Sequence, residues 1–185
     1  MLSMKPAWDV LVYAVLPLWV VAGFLDYLCH RASRIEHAAG TRESMLHWLM
    51  LAEVMLPLGL AIFFRVNALV MAIMIICLAA HEITGYFDLK LAMATRAVTV
   101  FEHQVHSALE ILPLTAILLA MALHWPQAQA LLGFGPEHAQ FFLGPKQTPR
   151  WGEIIPPFTA FLALSLLPYG EEFLRSLRAR RARSH

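Results

Sequence analysis

Charged residues are scarce in this sequence, and their scarcity excludes an ordinary soluble domain. Of the 185 residues, 15% are charged and 59% are hydrophobic. Soluble domains average about 25% charged and about 45–50% apolar residues. The formal net charge of +1 offers no surplus of positive charge for a polyanion, so we expect no nucleic-acid partner. The apolar excess instead predicts a protein that is solvated by a lipid bilayer.

Cysteine is almost absent, which excludes a disulfide framework and a thiolate-rich metal site. The two cysteines, Cys29 and Cys77, both lie in or beside apolar segments. Burial as small apolar side chains accounts for both of them.

Five apolar stretches dominate the sequence. A helix needs about 20 apolar residues to cross the hydrocarbon core of a membrane. Four stretches reach that length, and a fifth is shorter and contains three prolines; the predicted spans are 8–28, 45–64, 66–87, 103–123 and 154–169. The first is too long for a signal peptide and lacks a small-residue cleavage site, so we expect it to be retained as a helix.

These spans predict an all-α fold. We expect one integral membrane domain over residues 1–185, a polytopic transmembrane helical bundle with four core helices and a shorter fifth span. The longest connection is an outer loop at 124–153, and a basic cytoplasmic tail follows at 174–185.

The orientation follows from the lysines and arginines. One side carries ten of the fourteen, namely Arg31, Arg34, Arg42, Lys90, Arg96, Arg175, Arg178, Arg180, Arg181 and Arg183. The other side carries Lys5, Arg65, Lys146 and Arg150. The positive-inside rule places the larger group in the cytoplasm. We therefore predict a multi-pass protein of the bacterial inner membrane, with the amino terminus outside and the carboxyl terminus in the cytoplasm.

Histidines and carboxylates of the first four spans lie towards the predicted cytoplasmic ends. The outer halves of these helices contain no acid or histidine at positions 10–23, 56–64, 66–80 and 111–123. In the fourth span, Glu102, His103, His106 and Glu110 fall on one stripe at about 100° per residue. The polar groups are therefore expected to meet at one membrane face.

A metal site explains this convergence best. An unpaired charge in hydrocarbon costs several kcal/mol, and a divalent cation neutralises several carboxylates at once. The candidate metal ligands are Asp26, His30, His47, Glu53, His81, Glu82, His103, His106 and Glu110. Residues nearer the interface are candidates for ligands or for partners that orient the histidines, and they are Glu43, Asp88, Glu102 and His37. His37 joins the stripe of Asp26 and His30 if the first helix continues to Gly40.

Two simpler explanations compete with a metal site. A solvated helix end accounts for Glu36, His37, Glu43 or Asp88 taken singly, but not for the joint pattern. Pairing with arginines could neutralise the acids, and the arginines in reach are Arg31, Arg34, Arg42 and Arg96. That arrangement leaves the histidines unexplained.

The pattern resembles that of membrane di-iron proteins with carboxylate and histidine ligands, a class that includes hydroxylases, desaturases and quinol oxidases. The resemblance rests on Glu102–His103–His106–Glu110, Asp26–His30, Glu43–His47–Glu53 and His81–Glu82. The repeated ExxH of soluble di-iron bundles is absent. The resemblance implies two iron ions, an oxidoreductase and an electron donor. The donor set alone also permits manganese or zinc.

The sequence thus indicates a membrane-embedded di-metal oxidoreductase that acts on a lipophilic substrate such as a lipid or quinone. A divalent-metal transporter is an alternative, although a transport pathway needs polar groups on both sides of the midplane. A haem-binding protein is another, although haem iron does not use carboxylates such as Glu53, Glu82 and Glu110. For the enzyme, we expect an apolar pocket beside the metals, lined by residues such as Met50, Val54, Leu78 and Leu114.

Overall fold

A computed structural model describes residues 4–146 and 151–183, and it is helical almost throughout. Its helices are α1 (Lys5–Val10, Leu11–Val15 and Leu16–Ser33), α2 (Thr41–Phe63), α3 (Ala68–Thr95), α4 (Val100–Leu123), the short α5 (Trp125–Leu131) and α6 (Trp151–Phe161, Leu162–Leu166 and Leu167–Ala182). The described residues form no β-strand. The predicted all-α bundle is confirmed.

Five of these helices are long and apolar enough to cross a membrane. Helices α2 and α3 pack as an antiparallel hairpin, α1 packs on α4, and α6 packs on α2 and α1. Large apolar side chains such as Leu56, Ile76 and Leu118 point away from the bundle, as expected where lipid replaces water. The fold is that of a multi-pass membrane protein. Its orientation stays a prediction, and Arg150, which entered that prediction, lies outside the described residues.

Two prolines in the membrane helices follow wider, π-helical turns. Leu11–Val15 and Leu162–Leu166 are π-helical, and Pro17 and Pro168 stand two residues beyond them. Proline cannot donate a backbone hydrogen bond and crowds the preceding turn. A widened turn accommodates this defect without ending the helix. Helix α6 therefore continues well past Pro168.

The helix ends differ from the predicted ones in ways that matter for the site. Helix α1 stops at Ser33, because Arg34 adopts a left-handed conformation with φ of 53°. The stripe of Asp26 and His30 consequently does not continue to His37. Helix α6 extends to Ala182, so most of the predicted basic tail is helical. The predicted fifth span ended at Tyr169 and missed this extension.

The predicted outer loop contains the short helix α5 and is fixed to the start of α3. Asn67 caps α3 by accepting a hydrogen bond from the Val70 backbone at 3.2 Å, and its amide donates to the Phe142 carbonyl at 2.8 Å. Gln127 of α5 accepts from the Gln140 backbone at 3.0 Å. Residues 147–150 of this loop lie outside the described part of the chain.

Candidate metal centre

A buried polar cluster lies where α1 and α3 end, where α2 and α4 begin, and where α6 passes them. Its members are Asp26, His30, Glu43, His47, Asp88, Arg96, Glu102, His106 and Glu172. All are almost inaccessible to solvent; His106 is the most exposed, with 12% of its side chain accessible. We refer to these nine residues as the polar cluster.

Glu172 holds two histidines in one orientation. Its carboxylate lies 3.1 Å from His30 Nδ1 and 2.6 Å from His47 Nδ1, one oxygen to each ring. The two imidazoles are stacked, with centroids 4.4 Å apart and planes 4° from parallel. A carboxylate only accepts hydrogen bonds when ionised, so both Nδ1 atoms carry the proton. In neutral rings, both Nε2 atoms then keep a free lone pair.

The Nε2 atoms face carboxylate oxygens instead of hydrogen-bond donors. His30 Nε2 lies 3.4 Å from Asp26 Oδ1, and His47 Nε2 lies 3.2 Å from Asp88 Oδ1. His106 Nε2 lies 2.9 Å from Asp26 Oδ1, a distance at which a protonated Nε2 can donate a hydrogen bond to this carboxylate. Buried atoms without a hydrogen-bond partner in the described chain include Asp26 Oδ1, His30 Nε2, Glu43 Oε2, His47 Nε2 and Asp88 Oδ1. Lone pairs that face one another in an apolar interior repel unless a proton or a cation lies between them.

The ligand-type atoms form two close groups. Those of Asp26, His30 and His106 lie within 4.8 Å of one another, and so do those of His30, Glu43 and His47. The groups share His30. Neither contains a cysteine, so their donors are imidazole nitrogens and carboxylate oxygens alone.

Arg96 is the arginine within the polar cluster. Its guanidinium donates to Glu43 Oε1 at 2.7 Å and to both oxygens of Glu102. Burial alone would lower the pKa of Arg96, but these two carboxylates raise it above its ordinary value, so the charge is permanent. Arg31, by contrast, pairs with the more exposed Glu171.

The arginine therefore balances only part of the negative charge. If all five buried carboxylates are ionised, namely those of Asp26, Glu43, Asp88, Glu102 and Glu172, they face only the one positive charge of Arg96. With neutral histidines, four negative charges would then be in excess. Protonation of His30, His47 and His106 would remove three of them, but it would place charged rings face to face at 4.4 Å. Two divalent cations would balance all four.

The structure divides the sequence-predicted residues into three groups. Asp26, His30, His47 and His106 enter the polar cluster, together with Glu43, Asp88 and Glu102 from the set expected to orient them. His37, Glu82, His103 and Glu110 are exposed, although Glu110 borders a cavity beside the cluster. Glu53 and His81 form a separate pair, 3.7 Å apart between Oε2 and Nδ1.

The four polar residues predicted to share one stripe of α4 do not all reach the polar cluster. Relative to Glu102, His106 lies at about 40°, Glu110 at about 80° and His103 at about 100° around the helix. Of these four residues, only Glu102 and His106 lie on the side of the helix that is buried in the bundle. A stripe about 100° wide is broader than the contact face that α4 presents to the polar cluster.

Sequence reasoning missed the contribution of α6. Glu172 belongs to a buried stripe with Ser165, Tyr169 and Ser176. Their spacing of four, three and four residues keeps one helix face, which was the available signal. Tyr169 contacts Asp26, with its hydroxyl 3.3 Å from Oδ2, and Ser44 of α2 donates to Glu172 at 3.0 Å.

Further polar contacts join α6 to its neighbours outside the polar cluster. Tyr27 donates a hydrogen bond to Glu171 at 3.0 Å, and Arg31 donates to the same carboxylate. One turn further, Arg175 pairs with Glu36, which stands in the short 3₁₀ turn Ile35–His37 between α1 and α2. These contacts tie α6 to the ends of the two helices that carry His30 and His47.

A cavity adjoins the polar cluster, and apolar side chains such as Leu51 and Phe161 form part of its wall. Its lining includes Asp26, His47, Asp88 and His106 on one side. Of the predicted pocket residues, Met50 and Val54 line this cavity, and Leu78 lines the next one. Leu114, in contrast, lies on the surface of the helical bundle and is 44% exposed.

Comparisons with known proteins leave the site to be interpreted from its own geometry. No protein-family model, curated protein or solved structure matches this chain.

Proposed function

We propose that the polar cluster binds two transition-metal ions, iron first among them, in a membrane-embedded oxidoreductase that acts on a lipophilic substrate. The observation that carries this proposal is the Glu172 bridge. It fixes the protons of His30 and His47 on Nδ1 and turns both Nε2 atoms towards buried carboxylates. Metal-ligating histidines in proteins are held by a carboxylate in this same manner.

In this proposal, the ligands divide between two ions. His30 has only Nε2 free, so it can bind one ion, together with Asp26 and His106. His47 Nε2, with Asp88 and the unpaired Oε2 of Glu43, is available for the second. Nitrogen and oxygen donors without thiolate suit iron, manganese or zinc. Two divalent cations would also balance the four negative charges that remain if the five carboxylates are ionised and the histidines are neutral.

Metal analysis of variants on one helix tests the assignment. We expect about two transition-metal ions per purified wild-type chain. His106→Ala removes a buried donor that lies beside Asp26 and should lose at least one ion. His103→Ala changes an exposed histidine on the same helix and should keep both. Inductively coupled plasma mass spectrometry measures the ratio. Equal metal content in both variants would remove α4 from the proposed site.

An oxidoreductase role requires a redox-active metal and an accessible substrate site. Iron would supply the chemistry of dioxygen activation, while the cavity beside Asp26 and His106 would admit an apolar substrate from the bundle interior. Electrons would come from a separate donor. We expect the reduced iron form to react with dioxygen in a stopped-flow spectrometer, with an optical change and no Soret band. An unchanged spectrum on exposure to oxygen would favour a structural metal site, and a Soret band would indicate haem.

A further inference from the structure

Three neighbouring cavities run through the bundle away from the polar cluster. The first, which we call the cluster cavity, is lined by Asp26 and His106, and the second, the middle cavity, is lined by Glu53 and Ala116. The third, the far cavity, extends to His124. Adjacent cavities share walls. His81 lines the cluster and middle cavities, several residues line both the middle and far cavities, and Trp19 lines all three.

The middle cavity has a polar end and apolar walls. Glu53 and His81 stand at the side that adjoins the cluster cavity, whereas residues such as Leu16, Leu58 and Ile117 form the remaining walls. The described lining includes no lysine or arginine. A molecule that fills this space would therefore need one hydrogen-bonding end and a long apolar tail.

Glu53 and His81 are only partly satisfied by the protein. Glu53 Oε1 accepts a hydrogen bond from the Thr84 hydroxyl at 2.9 Å, but its Oε2 is buried without a partner. His81 Nδ1 is likewise buried without a partner, and 92% of the His81 side chain is inaccessible. The 3.7 Å between these two atoms exceeds hydrogen-bond distance. An oxygen atom about 2.8 Å from each would satisfy both.

We propose that Glu53 and His81 bind the hydroxyl headgroup of a lipid whose tail occupies the middle and far cavities. A hydroxyl can donate to Glu53 and at the same time contact His81. An anionic headgroup is disfavoured beside Glu53, because the described lining of the middle cavity includes no lysine or arginine. Lys146 lines the far cavity, where the end of the tail would lie. The inference rests on the proposed function, for which it supplies a substrate class and a place for it beside the metals. Aliphatic alcohols and quinols share the required hydroxyl, so the test compares both.

Small residues mark the passage for the tail. Ala61 and Ala120 line both the middle and the far cavity. A phenylalanine at position 120 would fill this passage without touching the headgroup pair. Ala122 lies two residues away on the same helix and is exposed, so Ala122→Phe is a matched control.

Binding of radiolabelled dodecan-1-ol to the full chain in lipid nanodiscs tests the inference, with empty nanodiscs subtracted. We expect saturable binding that Ala120→Phe weakens at least about tenfold and Ala122→Phe leaves unchanged. Glu53→Gln should weaken it about tenfold, because an amide oxygen accepts a weaker hydrogen bond than a carboxylate does, whereas Glu82→Gln, on the exposed side of α3, should leave it unchanged. Competition with decylubiquinol shows which hydroxyl is preferred. Absence of saturable binding, full affinity in Ala120→Phe, or equal competition by dodecanoate would overturn the proposal.

Metal content of the same samples separates this inference from the proposed function. Saturable alcohol binding to a chain that holds no metal would leave the headgroup site standing and remove the metal centre. Full metal occupancy without alcohol binding would support the metal centre and overturn the headgroup site. Loss of metal in Glu53→Gln would assign that carboxylate to the metal site and overturn its role as a headgroup ligand.

Discussion

Glu172→Gln should reduce metal affinity by about 10–100-fold, the range found when a residue that orients a metal-ligating histidine is changed. A carboxylate accepts from both Nδ1 atoms, whereas the amide has only one acceptor oxygen. Its NH₂ group would therefore oppose an Nδ1–H group of His30 or His47. One ring must then rotate, which moves its Nε2 away from the carboxylates, or shift its proton to Nε2, which removes the lone pair that would bind a metal. Titration of the metal-free protein with Fe²⁺ or Zn²⁺ measures the change.

Glu171→Gln is the matched control for this variant. Glu171 is the adjacent residue on α6, but its side chain is 40% exposed and it pairs with Arg31 outside the polar cluster. We expect wild-type metal affinity in Glu171→Gln. Similar losses in both variants would mean that α6 acts through its position in the bundle, and not through a hydrogen bond to the two histidines.

Arg96→Met should lower the free energy of unfolding by about 3–5 kcal/mol, the cost of removing one partner from a buried ion pair. Glu43 and Glu102 would lose their shared cation while remaining almost inaccessible to solvent. Arg96→Lys keeps the charge but not the planar fork that spans two carboxylates, so an intermediate loss is expected. Reversible unfolding in mixed detergent–SDS micelles gives the free energies.

The exposed ion pair of Arg31 and Glu171 provides the comparison. Arg31→Met removes a charge that solvent already screens, so its effect on unfolding should be small. If Arg96→Met proved no more harmful than Arg31→Met, Glu43 and Glu102 would be uncharged in the folded protein. The count of four excess negative charges would then be wrong.

The membrane-spanning helices were predictable from the sequence. In lipid, a helix must pair its own backbone hydrogen-bonding groups and surround them with apolar side chains. Those two requirements leave about 20-residue apolar runs in the sequence. The end of the last span was less predictable, because Glu171 and Glu172 interrupt the apolar run. By hydropathy, two adjacent glutamates mark the end of a membrane span. In the structure, however, the Glu172 side chain is completely buried against His30 and His47.

Side-chain partners were predictable only where helical phase decides them. The one-turn spacing of Asp26 and His30 is visible in the sequence, and in the structure their ligand atoms lie 3.4 Å apart. The boundary of a contact face is not visible, because it depends on which helix packs alongside. His103 and His106 differ by less than a turn, yet one is exposed and the other adjoins Asp26.

The separate grouping of Glu53 and His81 shows a further limit of sequence reasoning. The sequence placed both among the candidate metal ligands. The structure instead places them beside Thr84, at the wall between the cluster cavity and the middle cavity. The spacing of residues along a helix predicts which side of the helix each one occupies. A cavity between helices depends on how the helices pack, which the spacing does not predict.

Anomalous X-ray diffraction at the iron absorption edge, from crystals of the purified iron-loaded protein, tests the central claim most directly. It locates the metal itself and needs no variant. We predict two anomalous peaks inside the polar cluster, one within about 2.0–2.2 Å of His30 Nε2 and the other at the same distance from His47 Nε2, as for other imidazole-bound metals. Iron located elsewhere, or a polar cluster without an anomalous peak and with protonated histidines paired directly to Asp26 and Asp88, would contradict it.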